Sequence, residues 1–215
     1  PTVIIGGEVS ILGGNARNGQ GRFIIAEADE SDGSFLKLNS YIAVVTNIED
    51  DHLDYYGTEE NIYKAFKQFL GNLVEGGKAI LCVDNAKVKA LAQEIDKEVI
   101  TYGLEAADYV AKDICYGVDG TTYKLYHKDE FVTEVRLIVP GRHNVLNSVG
   151  AFVAAREMGI ADETILKALE QFGGAKRRFE TKGKVNGVWV VDDYAHHPTE
   201  IEVTLKAARQ TQPKR

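Results

Sequence analysis

Two stretches of this sequence concentrate side chains able to hold a cation. Glu27-Ala-Asp-Glu-Ser-Asp32 follows directly on the apolar run Phe23-Ile-Ile-Ala26, and Thr46-Asn-Ile-Glu-Asp-Asp-His-Leu-Asp54 follows on Tyr41-Ile-Ala-Val-Val45. An apolar, β-branched run that ends abruptly in acids is expected to be a buried parallel strand. Its C-terminal end would open into a polar crevice, where open α/β sheets bind their ligands. On that reading Glu27, Asp29, Asp50, Asp51, His52 and Asp54 converge on one site suited to Mg²⁺ and phosphate. One such cluster alone would more often be loop solvation or a helix start, with Ser31 or Asp32 capping a turn through Phe35 and Leu36. Two clusters at successive strand ends favour the functional reading. Donor chemistry by itself points to Asp51 or Asp54 rather than His52, because Mg²⁺ prefers oxygen.

A third apolar run, Val188-Trp-Val-Val191, ends the same way, in Asp192-Asp-Tyr-Ala-His-His-Pro-Thr-Glu200. Two carboxamides, Asn144 and Asn147, are three apart on an expected helix and so share a face, where each offers a donor and an acceptor. Asn144 would serve equally well as a helix cap, but Asn147 would not. Lys176-Arg177-Arg178 is either a solvated linker or a phosphate contact. A competing chemistry is a metal-dependent hydrolase built on Asp50, Asp51, His52, His196 and His197 around two ions; it leaves Asn144, Asn147 and Arg178 without a role. The His196-His197 pair before Pro198 also reads as a helix cap or half of a zinc site.

Elements must bring these groups together. With 215 residues and 44% hydrophobic content the chain can bury a substantial core. A net charge of -7 argues against a nucleic-acid partner, so an anionic ligand must be met by local cations. Cys82 and Cys115 lie in apolar or strand-like contexts and are expected to be buried free thiols. No apolar stretch is long enough to span a bilayer and no signal peptide is evident, which makes a cytoplasmic protein the default. The chain starts at Pro1 and stops at Pro213-Lys-Arg215 straight after a helical pattern, so both ends are expected to be cuts.

Val3-Ile-Ile5 is expected to be a strand, and Gly6 to Gly21, which holds six glycines, a loop. No G-x-G-x-x-G occurs in that loop, and G-x-x-x-x-G-K-[ST] occurs nowhere in the chain. Thr58 to Leu73 puts Ile62, Phe66, Phe69, Leu70 and Leu73 on one helical face; a strand over 78–83, a helix over 85–95 and a strand over 99–102 follow. The pattern predicts an α/β fold with a parallel sheet. From Asp108 to Val139 it changes to an antiparallel meander broken at Asp119-Gly120 and Lys128-Asp129. Helices are expected over 141–158 and 162–172. A hairpin turning at Asn186-Gly187 and a helix from about Thr199 come next, a unit too small to bury its own core.

The ordered set Glu27-Ala-Asp-Glu-Ser-Asp32, Thr46-Asn47 with Asp51-His52-Leu53-Asp54, Gly141-Arg-His-Asn144 with Asn147, Arg177-Arg178-Phe179 and Asp192 to Glu200 resembles the Mur ligases over nearly the whole chain. The resemblance implies a P-loop-type central ATPase domain over residues 1–175, without its P-loop, and the start of a Rossmann-like C-terminal domain over 176–215. It also implies the ATP-dependent joining of L-alanine to the carboxylate of UDP-N-acetylmuramate through an acyl phosphate, in peptidoglycan synthesis; a relative that recycles murein tripeptide is the alternative. Carried over residue by residue, Glu27 and His52 would hold Mg²⁺, Asn144 and Asn147 adenine, Arg178 the phosphates and Asp193 the ribose. Asn47, Tyr194 and His196 would face the substrates. Lys67 matches the place of a carbamylated lysine in sister ligases, although a solvent-facing role suits it better.

Overall fold

The computed structural model describes residues 1–117 and 120–211. Asp119 of the first expected meander turn and the Pro213-Lys-Arg215 end lie outside the described residues.

The chain opens with a small sheet in which β1 (Thr2–Val9) pairs antiparallel with β2 (Gly14–Arg17) and parallel with β3 (Ile24–Ala26). Two sequence expectations need correction here. The glycine-rich stretch is no simple loop, because β1 runs on through Gly6 and Gly7 and β2 returns beside it. Nor is β3 buried: Ile24 is 69% and Ile25 55% exposed. A β-branched run fixes strand propensity, but burial depends on what covers its faces.

The main sheet has the order β4-β5-β6-β7-β8-β9. Strand β4 (Ile42–Val45) leads through α1 (Leu53–Tyr56) and α2 (Glu59–Gly71) to β5 (Lys78–Cys82), and α3 (Ala86–Leu91) leads on to β6 (Glu98–Gly103). These strands pair in parallel, and β6 pairs in parallel with the start of β7 (Tyr109–Gly117). β7, β8 (Gly120–His127) and β9 (Glu130–Leu137) then form the expected meander, closed at Lys128-Asp129 with both residues at positive φ. The expected α/β fold is present, with a sheet that is parallel in one half and antiparallel in the other. α3 stops at Leu91, four residues short of the expected end.

Side-chain alternation on β5 builds the two layers of the core. Ile80 and Cys82 face α4 (Arg142–Glu157) and α5 (Asp162–Gln171), while Ala79 and Leu81 face α2 and α3; all four are buried. Helix α2 starts at Thr58, whose side chain accepts the Asn61 N–H, and buries Ile62, Ala65, Phe69 and Leu70. Helix α4 sets Val145, Val149, Phe152 and Val153 into the other layer with none of them exposed. Gly150 of the same helix lies under Tyr102, where a Cβ would come 2.9 Å from the ring. Because Phe152 has no solvent-exposed surface, Phe152→Ala is expected to cost about 3–5 kcal/mol, read from a denaturant midpoint. A loss under about 1 kcal/mol would show that α4 is not a core helix.

Last come β10 (Glu180–Val185), β11 (Val188–Asp192) and α6 (Pro198–Gln210). The hairpin turns at Asn186-Gly187 with both residues at positive φ, as expected. Its Val185, Val188 and Val190 are exposed, in keeping with a unit that buries no core of its own. α6 buries Ala207. Of the two cysteines only Cys82 is buried; Cys115 is exposed, because it sits where the β7 register shifts. Among the described residues no helix is long and apolar enough to cross a membrane.

Candidate active site

Strands β4, β5 and β6 end on the same edge of the sheet, and the polar groups gather there. The six expected ligands do not form one cluster, because several of them are engaged elsewhere, Glu27 by the Gly6 N–H and Asp50 by Lys87. Glu27, just past β3, is exposed and accepts the Gly6 N–H at 2.6 Å through Oε2. Asp29 accepts the Ser31 N–H at 2.9 Å, and the Ser31 hydroxyl and N–H hold its carboxyl below the usual range. His52 sits in the left-handed region with φ 55°, directly before α1. Its Nε2 lies 3.8 Å from Glu30 and 3.9 Å from Asp51, and Asp51 also accepts the His52 N–H at 2.8 Å. Beneath them the Tyr56 hydroxyl donates to the Glu30 carbonyl at 2.5 Å; burial pushes that phenol up, with Tyr55 and the nearby carboxylates adding to it. This ties the loop after β3 to the loop after β4.

Asp50 points elsewhere, into an ion pair with Lys87 of α3, which also approaches Glu59 at 3.5 Å. Asp54 lies in the first turn of α1. Among the described residues no group of three or more His, Cys, Asp or Glu is placed to hold a metal. His196 and His197 are at the start of α6, with His197 as its N-cap. Asp50, Asp51 and His52 lie beside α1, so the constellation required for a two-ion hydrolase is not brought together. Mg²⁺ in nucleotide sites is commonly held by one or two protein groups, with water and phosphate oxygens completing its shell. The carboxylates beside His52 are Glu30 and Asp51, while Glu27 is turned to the Gly6 N–H. Lys67 pairs with Glu94 at 2.7 Å and is nearly half exposed, in agreement with a solvent-facing lysine.

Helix α4 opens onto the same edge. Its N-cap is Gly141, so Asn144 is not the cap; Asn144 instead donates to the Pro140 carbonyl at 2.7 Å, which orients its amide. Asn147 is exposed one turn further on. Sequence reasoning missed the anchor of this helix. Asp84, 13% exposed, accepts the Leu104 N–H at 2.9 Å and Arg142 Nη2 at 2.7 Å. Two signals were present. Asp84 follows the β5 run as the other acids follow theirs, and a cation at a helix N-terminus opposes the helix dipole and calls for an acidic partner.

The C-terminal segment meets the start of α4 through Ala207 of α6. Asp193 accepts the Phe179 N–H at 2.8 Å and the Ala195 N–H at 2.7 Å, which fixes the turn after β11. Arg178 Nη1 lies 3.2 Å from Glu200. Burial tends to raise the Glu200 carboxyl, but hydrogen bonds from the His196 N–H, Arg178 and the His197 N–H hold it below its usual range. Tyr194 is half exposed beneath the Arg177 guanidinium at 4.5 Å, and its ring meets His196 edge-on at 5.2 Å. Asn47 is exposed beyond β4 and donates to Thr46 Oγ1 at 3.3 Å. The structure thus presents the polar groups on the loops after β3 and β4, on the exposed face of α4 and in the turn that holds Arg178 and Asp193.

Residues 12–155 match the pattern of the Mur ligase middle domain, and residues 177–215 that of the Mur ligase glutamate ligase domain. The UDP-N-acetylmuramate--L-alanine ligase of Desulforamulus reducens is 52% identical over 217 aligned positions, which cover all of this chain and 47% of the relative. That of Pelotomaculum thermopropionicum is 49% identical over 98% of this chain and 46% of its own. Among solved structures, the UDP-N-acetylmuramate-alanine ligase of Thermotoga maritima superposes with a TM-score of 0.86 at 28% identity, over 98% of this chain and 47% of that one. The chain spans about half the length of the relatives it matches. With its middle-domain pattern running through the main sheet and α4, and a second Mur ligase pattern covering the hairpin and α6, the chain belongs to the Mur ligase family.

Proposed function

We propose that this chain serves in the ATP-dependent joining of L-alanine to the carboxylate of UDP-N-acetylmuramate, through an acyl phosphate that the amine displaces. The observation that carries the reading is the 52% identity, over the whole chain, to a ligase named for that reaction. We place the division between the ATP-binding part and the start of the amino-acid-binding part at residues 175 and 176, in the connection after α5. Glu27 and His52 would hold Mg²⁺, which when bound neutralises phosphate charge. Asn144 and Asn147 offer paired donors and acceptors to a purine edge, with Asn144 already oriented by the Pro140 carbonyl. Arg178 supplies a cation for phosphate, and Asp193 a carboxylate whose remaining lone pairs suit ribose hydroxyls. Asn47, Tyr194 and His196 would face the substrates, Tyr194 and His196 the incoming amino acid.

The test is a coupled ADP-release assay on the full-length protein with UDP-N-acetylmuramate and either L-alanine or murein tripeptide. Turnover is expected with L-alanine; turnover with the tripeptide alone would overturn the substrate assignment. In the same assay Asn147→Ala is expected to raise KM for ATP up to about tenfold, the cost of one or two lost hydrogen bonds, with little change in kcat. An unchanged KM would remove Asn147 from the nucleotide site.

A further inference from the structure

We infer that His143 is a positioning residue of the joint between the start of α4 and α6, its ring packed there in the uncharged form. The inference rests on the nucleotide-site reading of Arg178 and Asp193 given above. Its basis is the way the ring is housed. Gly141 adopts φ +105°, and a Cβ there would lie 2.6 Å from His143 Cε1, 2.8 Å from its Nδ1 and 3.1 Å from the Ala207 Cβ of α6. Only glycine leaves room for the ring between the start of α4 and α6. Nδ1 is buried without a hydrogen-bond partner among the described residues. An unpaired ring N–H costs more in such a place than an unpaired lone pair, so the neutral tautomer protonated on Nε2 fits.

The charged groups around the ring come from both sides of the joint. Asp193, after β11, favours the imidazolium; Arg178, in the connection before β10, opposes it; of α6, Ala207 lies against Gly141 and Glu200 pairs with Arg178; and on α4 itself Arg142 is committed to Asp84. Burial dominates and moves the imidazole below its ordinary value, with Asp193 resisting and Arg178 assisting. A histidine lowered in the folded state stabilises the fold above its ordinary pKa, and that contribution is lost as pH falls through the lowered value. Protonation would leave a buried Nδ1–H without an acceptor among the described residues. The joint should therefore loosen on the acid side.

The experiment compares wild type with His143→Gln and His143→Phe in the full-length protein. Hydrogen exchange across residues 174–179 and 198–210, corrected for intrinsic rates, is followed from about pH 7.5 to about pH 5.5, together with KM for ATP. Wild type is expected to lose protection in both segments on acidification and to raise its KM at least threefold relative to His143→Gln. The ratio cancels the titration of ATP itself. His143→Gln, which cannot charge, should keep the same protection at both pH values; His143→Phe, which keeps the ring, should do likewise. Equal loss of protection in wild type and His143→Gln would overturn the proposal, and His143→Gln decides alone if the Phe variant does not fold. Absence of ADP release at every pH would overturn the ligase reading instead, while exchange would still decide the joint.

Discussion

Glu27→Ala is expected to lower ADP release by the full-length protein by at least 10² to 10³, the scale seen when an oriented electrostatic group is removed from a transition state. The fold should survive the change. Glu27 is exposed, the bond its carboxylate accepts from the Gly6 N–H is worth about 1–3 kcal/mol, and its backbone N–H keeps the Ile4 carbonyl. His52 calls for a different replacement. It occupies the left-handed region, where alanine is strained and asparagine is tolerated, so His52→Asn isolates the loss of the imidazole from the loss of the turn. The same drop is expected, with thermal unfolding within a few degrees of wild type. Activity of Glu27→Ala within about tenfold of wild type would reject the metal assignment.

The 215-residue chain by itself is expected to release ADP at less than a hundredth of the rate of a full-length relative such as the Desulforamulus reducens ligase. The phosphate-cradling pattern G-x-x-x-x-G-K-[ST] is absent from these residues. Backbone N–H groups around the phosphates, and the lysine that reaches their β and γ oxygens, are what such a loop contributes. Phosphoryl transfer depends almost wholly on positioning and charge stabilisation, and losing one oriented donor already costs about 10² to 10³. Glu27, His52 and Arg178 cannot replace a cradle of backbone donors. The measurement is a coupled assay with Mg²⁺, ATP, UDP-N-acetylmuramate and L-alanine. Turnover by the isolated chain above that hundredth would mean that its own residues bind the phosphates, and the site described here would have to be redrawn.

Much of the architecture is local and was therefore legible in the residues. A continuous apolar run gave β5, alternating positions gave the meander, 3.6-residue periodicity gave α2, α4 and α5, and Asn186-Gly187 gave the last hairpin, because each depends on neighbours within a few residues. The order of motifs from Glu27 to Glu200 gave the family, since no single strand-end acid is specific but their succession is. What the sequence could not decide is where each strand goes. The runs ending at Ala26 and Val45 look alike, yet β3 joins a small exposed sheet with β1 while β4 joins the main sheet. Their tips still meet where Glu30 approaches His52, but Glu27 is bound to Gly6 and Asp50 is drawn off by Lys87. Pairing and charge partners are long-range choices, fixed only when separate elements meet. The same holds for Asp84 with Arg142, 58 residues apart, and for His143. Its ring acquires a role only because Gly141 leaves a space that α6 closes.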